Sequence, residues 1–210
     1  MQQEYVEFSM PRSRKYNKVY QLHIGLSGTE PPVWRRIQVP ESYTFYDLHV
    51  AVQDAMGWQD YHLFEFSRTQ SHHKQDYRIV SVFDEPENTT LDVKYEYATE
   101  VSIKKFLTKE KDHVLYIYDF GDGWNHVVTL EKILPREKNV RYPVCLDGAL
   151  ACPPEDCGSI PGYYDCIRAV RSQDNEELLA WLGDWDPEVF DPHQVKFELP
   201  GKRLKKAMDT

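Results

Sequence analysis

A hairpin signal constrains the fold of this chain more than any other feature of its sequence. Residues 114–120 and 124–134 are rich in Val, Ile, Leu and aromatic side chains, and Gly121-Asp122-Gly123 lies between them. Glycine beside aspartate readily adopts the positive φ angles that tight turns between antiparallel strands require. The sequence therefore predicts two long antiparallel strands that turn within this tripeptide.

The length of the turn decides whether Asp119 and His126 meet. If Asp122 and Gly123 form a two-residue type I′ turn, Asp119 lies directly opposite His126. If the loop has three residues, Asp119 lies opposite Asn125 instead, because a change of one residue alters the whole register. In the first register the carboxylate would orient the imidazole and raise its basicity, which suits a general base or a metal ligand. The sequence leaves both registers open.

The remaining patterns indicate the fold class. Apolar and polar residues alternate over 19–27 and again over 33–39, which predicts a second antiparallel pair. Thr44 followed by Asp47 is a capping box, and Gly57 fits the left-handed end of the helix that this box begins. Residues 153–182 contain start and stop signals that are typical of helices. We predict an α+β fold: a mostly antiparallel sheet built from hairpins, one capped N-terminal helix, and a helix-rich, acidic C-terminal third.

Residues 61–68 and 76–83 predict two further strands. The polar connection between them contains His72 and His73, for which ordinary solvation is the expected role because no other ligand type accompanies them.

Negative charge is concentrated in one part of the chain. The 34 acidic and 25 basic residues give a net charge of −9, and residues 147–191 alone hold eleven acids and two arginines. Residues 1–20 and 196–210 are basic instead. Proteins bind a phosphate backbone by replacing counterions with Lys and Arg, so this distribution disfavours nucleic acid as a partner except through the termini.

The same features predict the domain organisation. We expect a flexible N-terminal arm at residues 1–18, a single α+β domain at 19–195, and a solvated basic tail at 196–210. There is no run of 18 apolar residues to span a bilayer and no pattern of a signal peptide, so we expect a cytoplasmic protein without membrane contact.

All four cysteines fall within 22 residues of one another. A reducing compartment disfavours disulfides, which makes a metal site the natural alternative, although the two-residue spacing of zinc fingers and ribbons is absent. The hypothesis is a zinc site built on Cys145, Cys152 and Cys157, with His126 or Cys166 as the fourth ligand. The alternative is that the thiols are small buried apolar groups.

Two adjacent carboxylates, Glu155 and Asp156, follow a pair of prolines and precede a predicted helix. Carboxylates fixed in this way can bind a divalent cation or act as acid and base, and they can equally cap the helix. Together with the hairpin tip they define a cleft of polar and aromatic groups. The candidate ligand-binding residues are Asp119, Asp122, Trp124, His126, Glu155 and Asp156.

The sequence favours binding over catalysis. It contains neither a Gly-x-Ser-x-Gly nucleophile motif nor a glycine-rich phosphate or dinucleotide loop. We expect a binding or interaction module whose partner is a small ligand or a basic protein. The alternatives are a metal-binding domain or metal-dependent hydrolase, using zinc or another divalent cation, and a mobile-element-associated protein that binds nucleic acid through its basic termini.

Several motifs, in order, resemble one known family, named after open reading frame three of an Ri plasmid. They are Pro31 to Arg36, Leu48-His49, Ala55 to Trp58, His62-Leu63, Tyr118 to Asp122 with Trp124 and His126, Cys145 to Gly148, Pro153 to Gly158, Gly162-Tyr163, Trp181 to Gly183, and Asp186 to Asp191. The resemblance runs from about Tyr20 to Val195 and implies a compact α+β domain with no established activity.

Members of that family are sometimes labelled resolvase-like. A recombinase needs a nucleophile among several arginines that neutralise the scissile phosphate. The arginines of this chain are scattered through an acidic body. Its residues therefore do not favour that activity.

Overall fold

The computed structural model describes residues 15–70, 74–84 and 94–209. Within these ranges the strands are β1 (Lys18–Leu26), β2 (Trp34–Pro40), β3 (Phe64–Gln70), β4 (Lys74–Val80), β5 (Lys94–Tyr97), β6 (His113–Tyr118), β7 (Trp124–Pro135) and β8 (Val144–Ala149). The α-helices are α1 (Phe45–Met56), α2 (Ser159–Ser172), α3 (Glu176–Leu182) and α4 (Pro200–Met208).

The eight strands form one sheet in the order β5-β4-β3-β6-β7-β1-β2-β8. All neighbours pair antiparallel except β4 and β5, which are parallel. The predicted pairing of β1 with β2 and of β6 with β7 is confirmed, and so is the α+β class. Three of the four described α-helices follow residue 158.

Helix α1 has the ends that its sequence predicts. The Thr44 side chain accepts a hydrogen bond from the Asp47 backbone N–H, and the Asp47 carboxylate accepts one from the Thr44 N–H at 2.8 Å. Gly57 ends the helix with a φ of 95°. Such a reciprocal cap satisfies donors that would otherwise have no partner in the first turn, so the start of α1 is set locally.

Helix α1 lies against the apolar face of the sheet. The His49 ring stacks on Phe64 of β3 with 3.6 Å between ring centroids, and its Nδ1 lies 2.8 Å from the Tyr116 hydroxyl of β6. Gln53 donates a second hydrogen bond to the same hydroxyl at 2.9 Å. Fully buried Leu48 completes this contact. The C-terminal end of α1 and the loop that follows are thereby held near the tip of the β6–β7 hairpin.

Both predicted registers of this hairpin are wrong, because its loop has five residues, 119–123. Tyr118 pairs with Trp124, and Tyr116 pairs with His126. Asp119 leaves the ladder with a φ of 56°, and its carbonyl accepts the Gly123 N–H at 2.6 Å. The Asp119–His126 pair that the two-residue turn predicts does not form, since Asp119 belongs to the loop and His126 to the strand.

Residues 200–208 of the predicted basic tail form helix α4, which lies against α1. Arg203 of α4 lies 2.5 Å from Asp54 of α1, and Leu204 is buried. The prediction considered only the basic charges of this segment, because the acidic partner of Arg203 lies 149 positions earlier in the chain. Residues 1–14 of the predicted arm, together with His72 and His73, lie outside the described residues. No helix in the described ranges is both long enough and apolar enough to cross a membrane.

Candidate functional site

Four side chains from three distant segments converge at the tip of the β6–β7 hairpin. His62 Nε2 lies 3.0 Å from Asp156 Oδ1, 3.7 Å from Asp119 Oδ2 and 3.8 Å from Glu155 Oε2. We call these four residues the hairpin-tip cluster. It brings together three of the six predicted ligand-binding residues and adds His62.

Strand pairing places His62 beside Asp119. Phe64 at the start of β3 pairs with Tyr118 at the end of β6, so the residues just before β3 lie next to the residues just after β6. The Asp119 N–H donates to the Leu63 carbonyl at 3.0 Å and continues this contact into the loop. Asp119 Oδ1 accepts the Gly121 N–H at 2.9 Å. Its Oδ2 is thus left to face His62.

Glu155 is held by two donors. Its Oε1 accepts the Gln59 backbone N–H at 2.7 Å and the Tyr118 hydroxyl at 3.0 Å. The Tyr118 oxygen in turn accepts the Tyr61 N–H at 3.0 Å. Burial raises the pKa of Tyr118, and the neighbouring Glu155 carboxylate raises it further. The phenol therefore stays protonated and acts as a donor to Glu155.

A close backbone contact fixes the loop that carries Asp156. A Cβ on Gly162 of α2 would lie 1.7 Å from the Cys157 carbonyl oxygen, so this approach requires glycine. The Gly158 N–H donates to Asp122 Oδ2 at 3.1 Å, which ties the same loop to the hairpin. The predicted candidate Asp122 thus has a positioning contact.

Negative charge in the cluster has no permanent positive partner. Among the residues that the structure describes, no Lys or Arg lies within ion-pair distance of Asp119, Glu155 or Asp156, and His62 is their only basic neighbour. The side chains of Asp119 and Glu155 are only 10% and 13% exposed. Partly buried carboxylates without a cation are costly, so the arrangement favours the approach of positive charge.

Three atoms of the cluster have the spacing that a metal ion requires. One atom each from His62, Asp119 and Asp156 lies within 4.8 Å of the other two. In the described part of the chain this is the one group of three or more His, Cys, Asp or Glu residues with such spacing. An imidazole nitrogen and two carboxylates are a donor set used by divalent metals.

The predicted candidates Trp124 and His126 lie in the core instead. Trp124 is 1% exposed, and the His126 ring packs between Trp58 and Tyr116 at centroid distances of 5.4 and 5.3 Å. Neither His126 ring nitrogen makes a hydrogen bond among the described residues. Burial lowers the pKa of His126 to about 4, against a smaller opposing effect of two backbone carbonyls, so its ring is neutral near pH 7.

Among the described residues, the four cysteines do not include a group of three with metal-ligand spacing. Cys145 lies on β8 and Cys166 on α2, while Cys152 and Cys157 lie in the connection between these elements. All four thiols are free. Burial is the largest influence on each and raises its pKa, which disfavours the thiolate form that binds zinc. His126, proposed as a fourth ligand, is enclosed by aromatic rings.

Comparison with known proteins decides the family. Residues 18–194 match the family model described as plasmid pRiA4b ORF-3-like protein. The chain belongs to this family. The uncharacterized protein y4hQ of Sinorhizobium fredii (strain NBRC 101917 / NGR234) is 31% identical over 195 residues, which cover 91% of each chain.

A crystal structure of a related protein supports the fold. The chain is similar to a protein of unknown function, MM3350 from Methanosarcina mazei Go1, with a TM-score of 0.76 and 40% identity. The similarity covers 87% of this chain and 99% of that one. The plasmid pRiA4b ORF-3-like fold is therefore shown over most of the chain.

His62 is the residue of the cluster that sequence reasoning missed. It precedes β3 at an alternate position from buried Phe64 and Phe66, so its pattern predicts only an inward-facing strand residue. Its partners become visible once β3 is known to pair with β6. The sequence signal available for it is the family motif His62-Leu63.

Proposed function

We propose that this protein is a binding module for a positively charged ligand and that the hairpin-tip cluster is its binding site. The observation that carries the proposal is the presence of three carboxylates within 3.8 Å of one imidazole nitrogen, without Lys or Arg beside them in the described ranges. Three carboxylates therefore face a single base in this cluster.

Electrostatics supports a cation as the ligand. Asp119 and Glu155 are largely removed from water, which weakens the screening of their mutual repulsion. A bound cation replaces the lost hydration and removes this repulsion. The same field repels phosphate groups, so the site disfavours nucleic acid.

Aromatic residues beside the cluster add a surface for such a ligand. Tyr61 is 66% exposed and precedes His62, while Phe120 is 47% exposed and follows Asp119. The faces of aromatic rings attract cations at close range. Large exposed aromatic side chains next to an acidic site are typical of a recognition surface.

The chemistry of the neighbouring groups favours binding over covalent catalysis. The cysteine that follows Asp156 has a pKa raised by burial, so its thiol is a poor nucleophile near pH 7. Tyr118 is held protonated by burial and by Glu155. These groups therefore position the carboxylates without supplying an activated nucleophile.

Isothermal titration calorimetry on the full chain tests the proposal with three probes: Zn²⁺, spermidine and a lysine-rich peptide. We expect at least one probe to bind, and the Asp119→Asn/Asp156→Asn variant to lose about 100-fold or more in affinity, on the scale of charge pairs at close range. The matched control is Asp165→Asn/Asp184→Asn, which removes two exposed carboxylates elsewhere. The proposal is overturned if none of the probes binds, or if both variants bind like the unmodified protein.

A further inference from the structure

We infer that the cation is a divalent first-row transition metal ion, held by His62 Nε2, Asp119 Oδ2 and Asp156 Oδ1. This inference rests on the proposed function, because it names the ligand class of the same site. Three observations carry it: the spacing of the donor atoms, the contacts that fix them, and their chemical type.

The spacing fits a single ion. Bonds from zinc to imidazole nitrogen or carboxylate oxygen are about 2.0–2.2 Å long, so two ligand atoms on one ion lie roughly 3–4.4 Å apart. The distances from His62 Nε2 to Asp156 Oδ1 and to Asp119 Oδ2 are 3.0 and 3.7 Å. Since all three donor atoms lie within 4.8 Å of one another, an ion can bind after small side-chain movements. A bulky organic cation would have to push these side chains apart.

The donor atoms are already oriented by other contacts. Asp119 uses Oδ1 for the Gly121 N–H, so Oδ2 faces the site. The Asp156 loop is fixed by the Gly158–Asp122 hydrogen bond and by the contact of Gly162 with the Cys157 carbonyl. Partners of this kind raise metal affinity because they orient the ligands before the ion arrives.

Glu155 is the third carboxylate of the site and lies beside the three donor atoms. Gln59 and Tyr118 hold its Oε1, and its Oε2 lies 3.8 Å from His62 Nε2. In this position it adds a third negative charge beside the ion. Glu155 would therefore balance the charge of a bound ion without being one of its three ligands.

The donor types select the class of metal. Calcium takes six to eight oxygen ligands, and magnesium keeps most of its water, so neither gains from an imidazole nitrogen. Imidazole with carboxylates suits zinc, cobalt, nickel, iron and manganese. The thiols are not part of this ligand set, since no three of them have metal-ligand spacing in the described ranges and burial raises the pKa of Cys152 and Cys157.

Titration of the chelator-treated full chain with Zn²⁺, Co²⁺ and Mg²⁺ tests the inference. We expect one Zn²⁺ or Co²⁺ per chain and at least about 100-fold weaker binding of Mg²⁺. The absorption spectrum of the Co²⁺ form should lack a thiolate charge-transfer band. A preference for Mg²⁺, or the presence of that band, overturns the assignment of the ligands.

Two variants and two controls locate the ion. His62→Gln and Asp119→Asn should each weaken Zn²⁺ binding by more than about 100-fold, beyond the 10- to 100-fold typical of lost outer contacts. His113→Gln, at an exposed histidine of β6, and Cys145→Ser, at a thiol of β8, should leave the affinity unchanged. Far-ultraviolet circular dichroism checks that each variant is folded. Unchanged Zn²⁺ affinity in the first pair, or loss of affinity in Cys145→Ser, overturns the inference.

The outcome for organic cations separates this inference from the proposed function. If spermidine or the lysine-rich peptide binds in an Asp119-dependent manner and no metal ion does, the metal assignment fails and the proposed function stands. If neither metal nor organic cation binds, both fail.

Discussion

Two clusters in this protein each gather three carboxylates around one nitrogen base, and they differ in the base. In the Arg203 cluster, Arg203 lies 2.5 Å from Asp54, 2.9 Å from Glu198 and 3.8 Å from Asp60. In the hairpin-tip cluster, His62 makes one contact of 3.0 Å, and its other two acidic neighbours lie 3.7 and 3.8 Å away.

The identity of the base accounts for the difference between the two clusters. The guanidinium of Arg203 is permanently charged and donates to two carboxylates at once. It therefore compensates the negative charge of its cluster and joins α4 to α1. The imidazole of His62 offers only one nitrogen, Nε2, to its three acidic neighbours, so it cannot pair with all of them at once. Its cluster therefore keeps space and negative charge for another cation.

Removal of the base from the Arg203 cluster should give the largest effect on stability. Arg203→Met leaves the 7% exposed Asp54 carboxylate without its cation, and we expect a loss of about 3 kcal/mol in the free energy of unfolding by urea. Lys202→Met, at an exposed position of the same helix, is the control. Equal losses in the free energy of unfolding in the two variants would show that Arg203 does not compensate the carboxylates of its cluster.

His126 is a buried base without a hydrogen-bond partner among the described residues. Its folded-state pKa of about 4 lies below the ordinary value of 6.5, so the unfolded chain takes up the proton first as the pH falls. Its contribution to stability is complete above about pH 6.5 and is lost as the pH falls towards 4, by up to roughly 3 kcal/mol.

Urea titrations at pH 7 and pH 4 measure this loss. Between these pH values His126→Leu should lose less stability than the unmodified protein. His113→Leu, at an exposed histidine, should keep the original pH dependence. The same pH dependence in both variants would contradict a buried neutral His126.

Gly162→Ala should affect the hairpin-tip cluster and leave the Arg203 cluster intact. The added Cβ would overlap the Cys157 carbonyl and force the Asp156 loop to move, at a cost of about 2 kcal/mol. Zn²⁺ affinity should fall with it. Gly201→Ala on α4, where a Cβ meets nothing within 4 Å, is the matched control. The idea is refuted if Gly162→Ala unfolds in urea at the same midpoint as Gly201→Ala.

The smallest predicted change in the free energy of unfolding comes from an Asp→Asn substitution, and it has opposite signs in the two clusters. Asp119→Asn removes repulsion in the metal-free protein and should raise the free energy of unfolding by up to about 1 kcal/mol, the range of partly exposed charge interactions. Asp54→Asn should lower the free energy of unfolding, because it breaks the contact with Arg203. Urea denaturation in the presence of a chelator measures both. Destabilisation by Asp119→Asn would mean that its charge is already compensated.

Local features of the fold were predictable because their causes are local. The Thr44–Asp47 cap and Gly57 act within a few residues, and the structure confirms them. The hairpin was predicted but its register was not, since the left-handed Asp119 and its bond to Gly123 lengthen the loop. Sequence alternation does not reveal such a backbone turn.

The candidate site was predictable only in part because it depends on pairing between distant segments. Asp119, Glu155 and Asp156 were identified from their loop motifs. His62 was missed because its role follows from the pairing of β3 with β6, and pairing of distant segments has no local signal. The docking of α4 was missed for the same reason, since the partner of Arg203 is Asp54, 149 positions earlier.

The separation of the cluster residues along the chain bears on the order in which the protein matures. His62, Asp119 and Asp156 are distant in sequence and meet only when β3 has paired with β6 and the loop before α2 has packed on the hairpin. During synthesis the donor set is therefore incomplete until residue 156 has emerged and folded back. A ligand that needs all three residues then recognises only the assembled domain and stabilises it over partly folded forms.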